Sequence, residues 1–292
     1  MLWPLLYATC SARRSGHGLA DKDSTGRSSD ARQRRRLDEA LVERGLVENR
    51  SRAQALIMAA DVLVNGAPVT RAGARVRSSD ELSLKAPPRF VSRGGDKLDH
   101  ALNAFGIDVL GLIAADFGAS TGGFTDCLLQ RGAARVFAID VGYGQLASRL
   151  RADPHVVVID RMNARHLESL PERVDLVTID VSFIGLSLVL PAARNLLSER
   201  GQIVALIKPQ FEAGRTDVGH GGVVRDPRVH RRVLENQFTL AADLGLGITG
   251  LAASPLRGPA GNIEFFAALA RGVTSIPMDE AIDGALQGAP PA

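Results

Sequence analysis

From residue 113 onward the chain repeats one alternation: a short apolar run, then a stretch of helical length. Residues 113–117, 136–140, 156–160, 174–180 and 202–208 are such runs. Strands that are apolar on both faces, separated by helices, predict a mostly parallel sheet covered on both sides. In such a sheet ligands gather outside the carboxyl ends of the strands. The earlier part of the chain has a different rhythm. Leu37, Ala40 and Leu41 fall on one helical face with Gly45 as a stop, and Ser51 is the expected cap of a second helix carrying Ala55, Leu56 and Ala59. Residues 62–64 then read as a strand, Asn65-Gly66 as a tight turn, and Val69, Val76 and residues 82–84 as further short strands. Pro87-Pro88 closes this module. The expected organisation is a disordered leader over 1–33, a small α+β domain over 34–86, a linker over 87–93, an α/β domain over 94–271 and a flexible tail over 272–292.

Composition supports two folded cores. The 292 residues are 45% hydrophobic and 23% charged, which suits a globular chain and is too polar for a membrane one. The net charge of +3 hides an asymmetry: residues 1–93 carry 17 Lys/Arg against 10 Asp/Glu, and residues 94–292 carry 18 against 22. Positive charge therefore belongs to the front third, and a polyanion such as RNA is its natural partner. Cys10 and Cys127 are the only cysteines, which excludes a disulfide framework and leaves no metal-ligand spacing, so the expected location is the cytoplasm. The apolar residues 2–8 lack the preceding positive charge of a secretory signal, and no uninterrupted apolar run is long enough to span a bilayer.

The first long strand ends in Asp116-Phe117-Gly118-Ala119-Ser120-Thr121-Gly122-Gly123-Phe124. Its glycines allow a backbone to approach a ligand closely. The text is neither Gly-x-Gly-x-x-Gly nor a Gly-Lys-Ser/Thr phosphate loop, so a dinucleotide fingerprint is disfavoured. Asp140 ends the second strand roughly twenty residues on, where a carboxylate can accept from ribose hydroxyls. Asp160 ends the third and is a candidate neighbour of an adenine. For either acid the plain alternative is a helix N-cap or a loop charge.

Residues 36–69 resemble the small RNA-binding domain first known from ribosomal protein S-four, through Arg36-Leu37-Asp38, Leu41-Val42, Gly45-Leu46, Ser51-Arg52, Leu56-Ile57 and Val62-Leu63-Val64-Asn65-Gly66. The resemblance implies a basic face for folded RNA, with Arg36, Arg50, Arg52 and Arg71 as contacts. Further on, Val91-Ser92-Arg93-Gly94-Gly95-Asp96-Lys97-Leu98, the turn at 116–124, Ala138-Ile139-Asp140-Val141-Gly142-Tyr143-Gly144, Asn163-Ala164-Arg165, Asp180-Val181-Ser182-Phe183-Ile184, Lys208-Pro209-Gln210-Phe211-Glu212 and Gly261-Asn262-Ile263-Glu264-Phe265 resemble the class I S-adenosylmethionine methyltransferases. The likeness is closest to the ribosomal RNA 2′-O-methyltransferases of the TlyA type, with their FtsJ-like catalytic domain.

That family implies a Rossmann-like α/β fold with a seven-stranded sheet whose last strand, near 263–269, runs antiparallel. It implies S-adenosyl-L-methionine held by Asp116, Gly118, Ser120, Thr121, Gly122, Gly123, Phe124, Asp140, Asp160 and Asp180. It also implies a Lys-Asp-Lys-Glu tetrad, which falls on Lys97, Asp180, Lys208 and Glu264. In the expected scheme Lys208 stands nearest the 2′-hydroxyl, Lys97 helps to lower its pKa, and the two acids orient the lysines. The glycine-rich segment 211–230 is an expected mobile lid over RNA, with Arg215, Arg225 and Arg228 facing phosphates. The implied partner is ribosomal RNA or a ribosomal subunit, with no membrane. Two rival readings stand beside this one: a membrane-lytic protein, after the family's older name of hemolysin, and a methyltransferase of non-ribosomal substrates.

Overall fold

The computed structural model describes residues 34–85 and 88–290. The expected leader over 1–33, with Cys10, lies outside the described residues. The chain divides into two compact units between residues 87 and 88.

In the first unit, β1 (Arg35–Arg36) pairs antiparallel with β4 (Arg75–Val76), and β2 (Val62–Val64) lies between β3 (Ala67–Pro68) and β5 (Leu82–Leu84). Two helices, α1 (Leu37–Glu43) and α2 (Arg50–Met58), add Leu37, Leu41, Ala53 and Ile57 to a core shared with Val62 and Val76. The cap of α2 is Asn49 and not the expected Ser51: the Asn49 side chain accepts from the Arg52 N–H at 2.9 Å, and Ser51 falls inside the first turn. This moves Arg50 and Arg52 into the start of the helix.

The second unit carries a seven-stranded sheet in the order β11-β12-β10-β9-β6-β7-β8. Its strands are β6 (Ile113–Phe117), β7 (Arg135–Ile139), β8 (Val156–Ile159), β9 (Val174–Ile179), β10 (Leu197–Ile207), β11 (Leu246–Ala253) and β12 (Phe265–Arg271). β12 runs antiparallel to both neighbours, and the remaining contacts are parallel. Alternate residues feed two cores, as the two-residue period of a strand requires. Phe117, Ile139, Ile179, Ile207 and Phe265 face one side, against α6 (Leu190–Leu196) and α8 (Pro227–Asp243). Ala114, Val136, Leu176, Leu206 and Phe266 face the other, against α3 (Arg93–Phe105) and α4 (Gly123–Gln130).

Two boundaries differ from expectation. Phe90, assigned to the linker, is 2% exposed and packs with Leu98 and Phe124, so the large core reaches back before residue 94. Within the expected tail, described as far as residue 290, α9 (Met278–Gln287) buries Ile282 and Ala285 in the same core as α8. Burial of that apolar face anchors the segment, and the Ile276 N–H adds a hydrogen bond to the Ile248 carbonyl at 2.9 Å.

Candidate active site

The carboxyl ends of β6, β7, β9 and β10 open on one side of the sheet, and the turn after β6 shapes it. Gly118 has φ +86, and a Cβ there would stand 2.5 Å from the Asp180 carbonyl, so only glycine lets this turn lie against the end of β9. Asp140, just past β7, ties the turn down. One of its oxygens accepts from the Ser120 N–H at 2.8 Å and the other from the Gly142 N–H at 2.7 Å.

Two adjoining clefts result. The larger, about 860 Å³, is lined by Gly118, Ser120, Asp140, Met162, Asp180 and Phe183 among others. The smaller, about 260 Å³, is lined by Lys97, Asp180, Lys208 and Glu264 together with Thr121, Gly123 and Phe124. Gly118, Ser120, Asp180 and Ser182 belong to both. Residues as far apart in sequence as 97 and 264 thus meet beside a roomy cavity.

Their charges are arranged as two pairs. Lys97, from the first turns of α3, reaches Glu264, just before β12, with Nζ 2.5 Å from Oε2. Both are almost wholly buried. Lys208, immediately after β10, lies 2.6 Å from Oδ1 of Asp180, immediately after β9, and donates to the Ser182 hydroxyl at 2.9 Å. Parallel pairing of β9 and β10 delivers the second pair, because neighbouring strands end side by side. The antiparallel β12 returns Glu264 to the same edge from the other direction.

Not every residue expected to touch a ligand lines a cleft. Asp116 is fully buried beneath the turn, where Thr125 Oγ1 donates to it at 2.7 Å and Thr178 Oγ1 at 3.3 Å. Burial, reinforced by the negative charge of Asp180, pushes its pKa up to about 7. Asp160 is engaged by Arg151 at 2.9 Å and is absent from the lining of either cleft. Gly122 caps the start of α4.

Other side chains of the same motifs take part in the site. Ser182 contacts Lys208. Phe183 is 91% exposed with φ +64 and packs its ring 5.1 Å from that of Phe211. Glu212 holds this loop, accepting from the Leu186 N–H at 2.8 Å, and its burial raises its pKa. An exposed aromatic beside charged groups leaves no trace in hydrophobic periodicity, which is why only the motif text could have flagged Phe183.

The second half of the expected lid over 211–230 makes defined contacts. Gly219 and Val223 form an isolated β-bridge, the Asn262 side chain accepts from the Val224 N–H at 2.9 Å and donates to the Gly222 carbonyl at 2.8 Å, and His230 is buried inside α8.

In the first unit the four expected RNA arginines separate into two kinds. Arg36 donates twice to the buried Asp38, both at 3.0 Å, and Arg50 donates to it at 2.9 Å. The Arg36 hydrogen bonds come first among the causes that hold the Asp38 carboxyl far below the usual range. Arg52 and Arg71 are exposed.

Comparison with known proteins agrees with this anatomy. Residues 90–271 match the FtsJ-like methyltransferase family and residues 35–82 the S4 domain. The chain is 49% identical over 237 residues to the 16S/23S rRNA (cytidine-2′-O)-methyltransferase TlyA of Mycobacterium tuberculosis, covering 80% of this chain and 88% of that one. It is 42% identical to hemolysin A of Brachyspira hyodysenteriae, covering 80% of this chain and 98% of that one. A solved structure from Streptococcus thermophilus described as a hemolysin superposes with a TM-score of 0.68 at 41% identity, covering 87% of this chain and 95% of that one. With the sheet, the clefts and both domain matches in agreement, the chain belongs to the FtsJ-like methyltransferases of the TlyA type, which carry an S4 domain ahead of the methyltransferase fold.

Proposed function

We propose that this protein transfers a methyl group from S-adenosyl-L-methionine to a ribose 2′-hydroxyl of ribosomal RNA, with cytidine as the target nucleotide and the cytoplasm as the place of work. The observation that carries the reading is the meeting of Lys208, Asp180, Lys97 and Glu264 in a cleft that shares a wall with a second, larger one.

The larger cleft fits the donor. Asp140 spends one lone pair of each oxygen on backbone N–H groups, which orients the carboxylate and leaves capacity for ribose hydroxyls. When bound, S-adenosylmethionine supplies an electrophilic methyl, so the protein's own task is to activate and aim one oxygen.

Lys208 Nζ, fixed between Asp180 and Ser182, is the group that meets that oxygen. Its ammonium stabilises the negative charge that grows there, and the hydroxyl proton passes into the Lys208–Asp180 pair. The Lys97–Glu264 pair sets the wall behind it, each charge neutralising the other in a site with little water. Phe183, flat and open to solvent at the rim, offers a surface on which an unstacked base can lie. Exposed Arg52 and Arg71 of the S4 domain supply phosphate contacts.

The relatives named hemolysin carry a second reading, membrane lysis, that no observation on this chain favours. No described helix is long and apolar enough to cross a membrane. The deciding experiment incubates the protein and S-adenosylmethionine with ribosomal subunits lacking the modification and maps 2′-O-methylated positions. A new methylated cytidine is expected; methyl transfer to a base, or none to any ribosomal RNA, overturns the reading.

A further inference from the structure

The amino ends of β9 and β10, opposite the methyl-transfer cleft, carry a second concentration of charge. Arg173 immediately precedes β9, Arg194 lies in the last turn of α6 leading into β10, and Arg271 ends the antiparallel β12. All three line one cavity of about 550 Å³.

Part of this arrangement is explained by the helix end. The Arg173 guanidinium donates to the Asn195 carbonyl and the Arg271 guanidinium to the Arg194 carbonyl, so both sit at the negative end of α6 on consecutive peptide groups. Capping uses few of the five N–H donors that each guanidinium carries, and it does not involve the Arg194 side chain. The Nε atoms of Arg194 and Arg271 are buried without a hydrogen-bond partner. Among the described residues none of the three arginines has a carboxylate within ion-pair distance. Of the two acids at the cavity, Glu172 is ion-paired to Arg135 and Glu168 is exposed on its loop. Arg271 is held below its ordinary pKa, first by burial and then by the positive charges of Arg194 and Arg173. Three gathered guanidiniums with unused donors and no ion-paired carboxylate of their own form a concavity suited to a tetrahedral dianion, which guanidinium forks match in geometry and charge.

We propose that this cavity binds a phosphate group, supplied by an RNA backbone or by a free phosphorylated compound. It is separate from the methyl-transfer cleft, since the six residues of β9 between them span about 20 Å.

The test measures pyrophosphate binding to the full chain by calorimetry, and the salt dependence of its binding to a folded ribosomal RNA fragment, before and after Arg173→Gln with Arg194→Gln. Binding of S-adenosylmethionine serves as the control for folding. Saturable one-site pyrophosphate binding is expected in the unaltered protein, weakened about tenfold or more in the double variant. A salt slope shallower by about two in that variant identifies RNA phosphates as the occupant; an unchanged slope with lost pyrophosphate binding identifies a free phosphate compound. If pyrophosphate binding and salt slope are both unaffected by the double substitution, the site does not exist. Should the double variant lose the control binding, Arg194→Lys keeps charge and bulk but loses the fork. It is expected to weaken pyrophosphate binding with the control intact, and full retention would equally overturn the proposal.

Discussion

Each domain buries a carboxylate among cations, and the two burials differ in how fully the oxygens are satisfied. Asp38 in the S4 domain is completely enclosed and accepts from Arg36, Arg50, Gln54 and the Glu39 N–H, so both oxygens are occupied. Glu264 in the methyltransferase domain is as deeply buried, yet only Oε2 is engaged, by Lys97, and Oε1 has no hydrogen-bond partner. The neighbouring Asp180–Lys208 pair stays partly open to solvent. A saturated cluster resists rearrangement, because every change leaves a buried group unpaired. An unsaturated cluster keeps capacity for an incoming group. The first therefore reads as scaffold and the second as a place where a substrate completes the set.

The largest effect that tests this contrast is Lys208→Ala. Lys208 contacts one acid and one hydroxyl at the open end of the cleft, so its loss is expected to slow methyl transfer by about 10² to 10⁴-fold while leaving stability and donor binding nearly intact. Radiolabel transfer with a parallel donor-binding measurement checks it, and activity close to that of the unaltered protein would remove Lys208 from the reacting centre.

Asp38→Ala is expected to act in the opposite sense: destabilisation of about 3 kcal/mol, confined to the S4 domain, with donor binding unchanged. Hydrogen exchange over 34–85, compared with that of the β6–β7 region, measures it. The same cluster carries a pH signature. Because the folded pKa of Asp38 lies below its ordinary value, its stabilisation is complete above that value and fades as the pH falls below about 4. Equal loss of protection in both domains on acidification would count against Asp38 as the local cause.

A smaller effect separates the arginines. Arg36 and Arg50 are ion-paired to Asp38, Arg50 while its side chain stays 52% exposed, whereas Arg52 and Arg71 face solvent away from that acid. Replacing Arg52 and Arg71 by Gln should flatten the salt dependence of RNA binding by about two without altering stability. An unchanged slope would move the RNA face elsewhere on the domain.

How much of this was legible in the sequence depends on the kind of force involved. Strands such as β6, buried on both faces, announce themselves as apolar runs, and the tetrad is locatable because each member lies beside a strand end or within a motif resembling the family's. What escaped depends on tertiary neighbours. β11 is missing from the apolar runs because Gly247 and Gly250 interrupt it, yet a Cβ at Gly247 would stand 2.2 Å from the Val273 carbonyl, so the glycine is there for close packing. α9 was lost to its place at the chain's end, since nothing local states that Ile282 and Ala285 find a core. The pairing of Arg50 with Asp38, twelve residues back, is set by the helix pair and not by the local text, whereas Arg36 meets the same acid only two residues on.

The smallest effect probes what remains imperfect in the otherwise saturated S4 domain. Helix α2 ends with the Ala60 N–H on the Ile57 carbonyl and the Asp61 N–H on the Leu56 carbonyl, which places Ala60 at the left-handed position following the helix, with φ +60. A Cβ in that conformation costs about 1 kcal/mol or more. Glycine removes the clash, and its greater freedom in the unfolded chain returns roughly 0.5–1 kcal/mol of that gain. Ala60→Gly should therefore raise stability by about 0.5 kcal/mol, visible as slower exchange over 34–85 with RNA affinity and methyl transfer unchanged. Faster exchange would mean that the backbone at this position is not left-handed in solution, and that the helix pair around Asp38 ends differently.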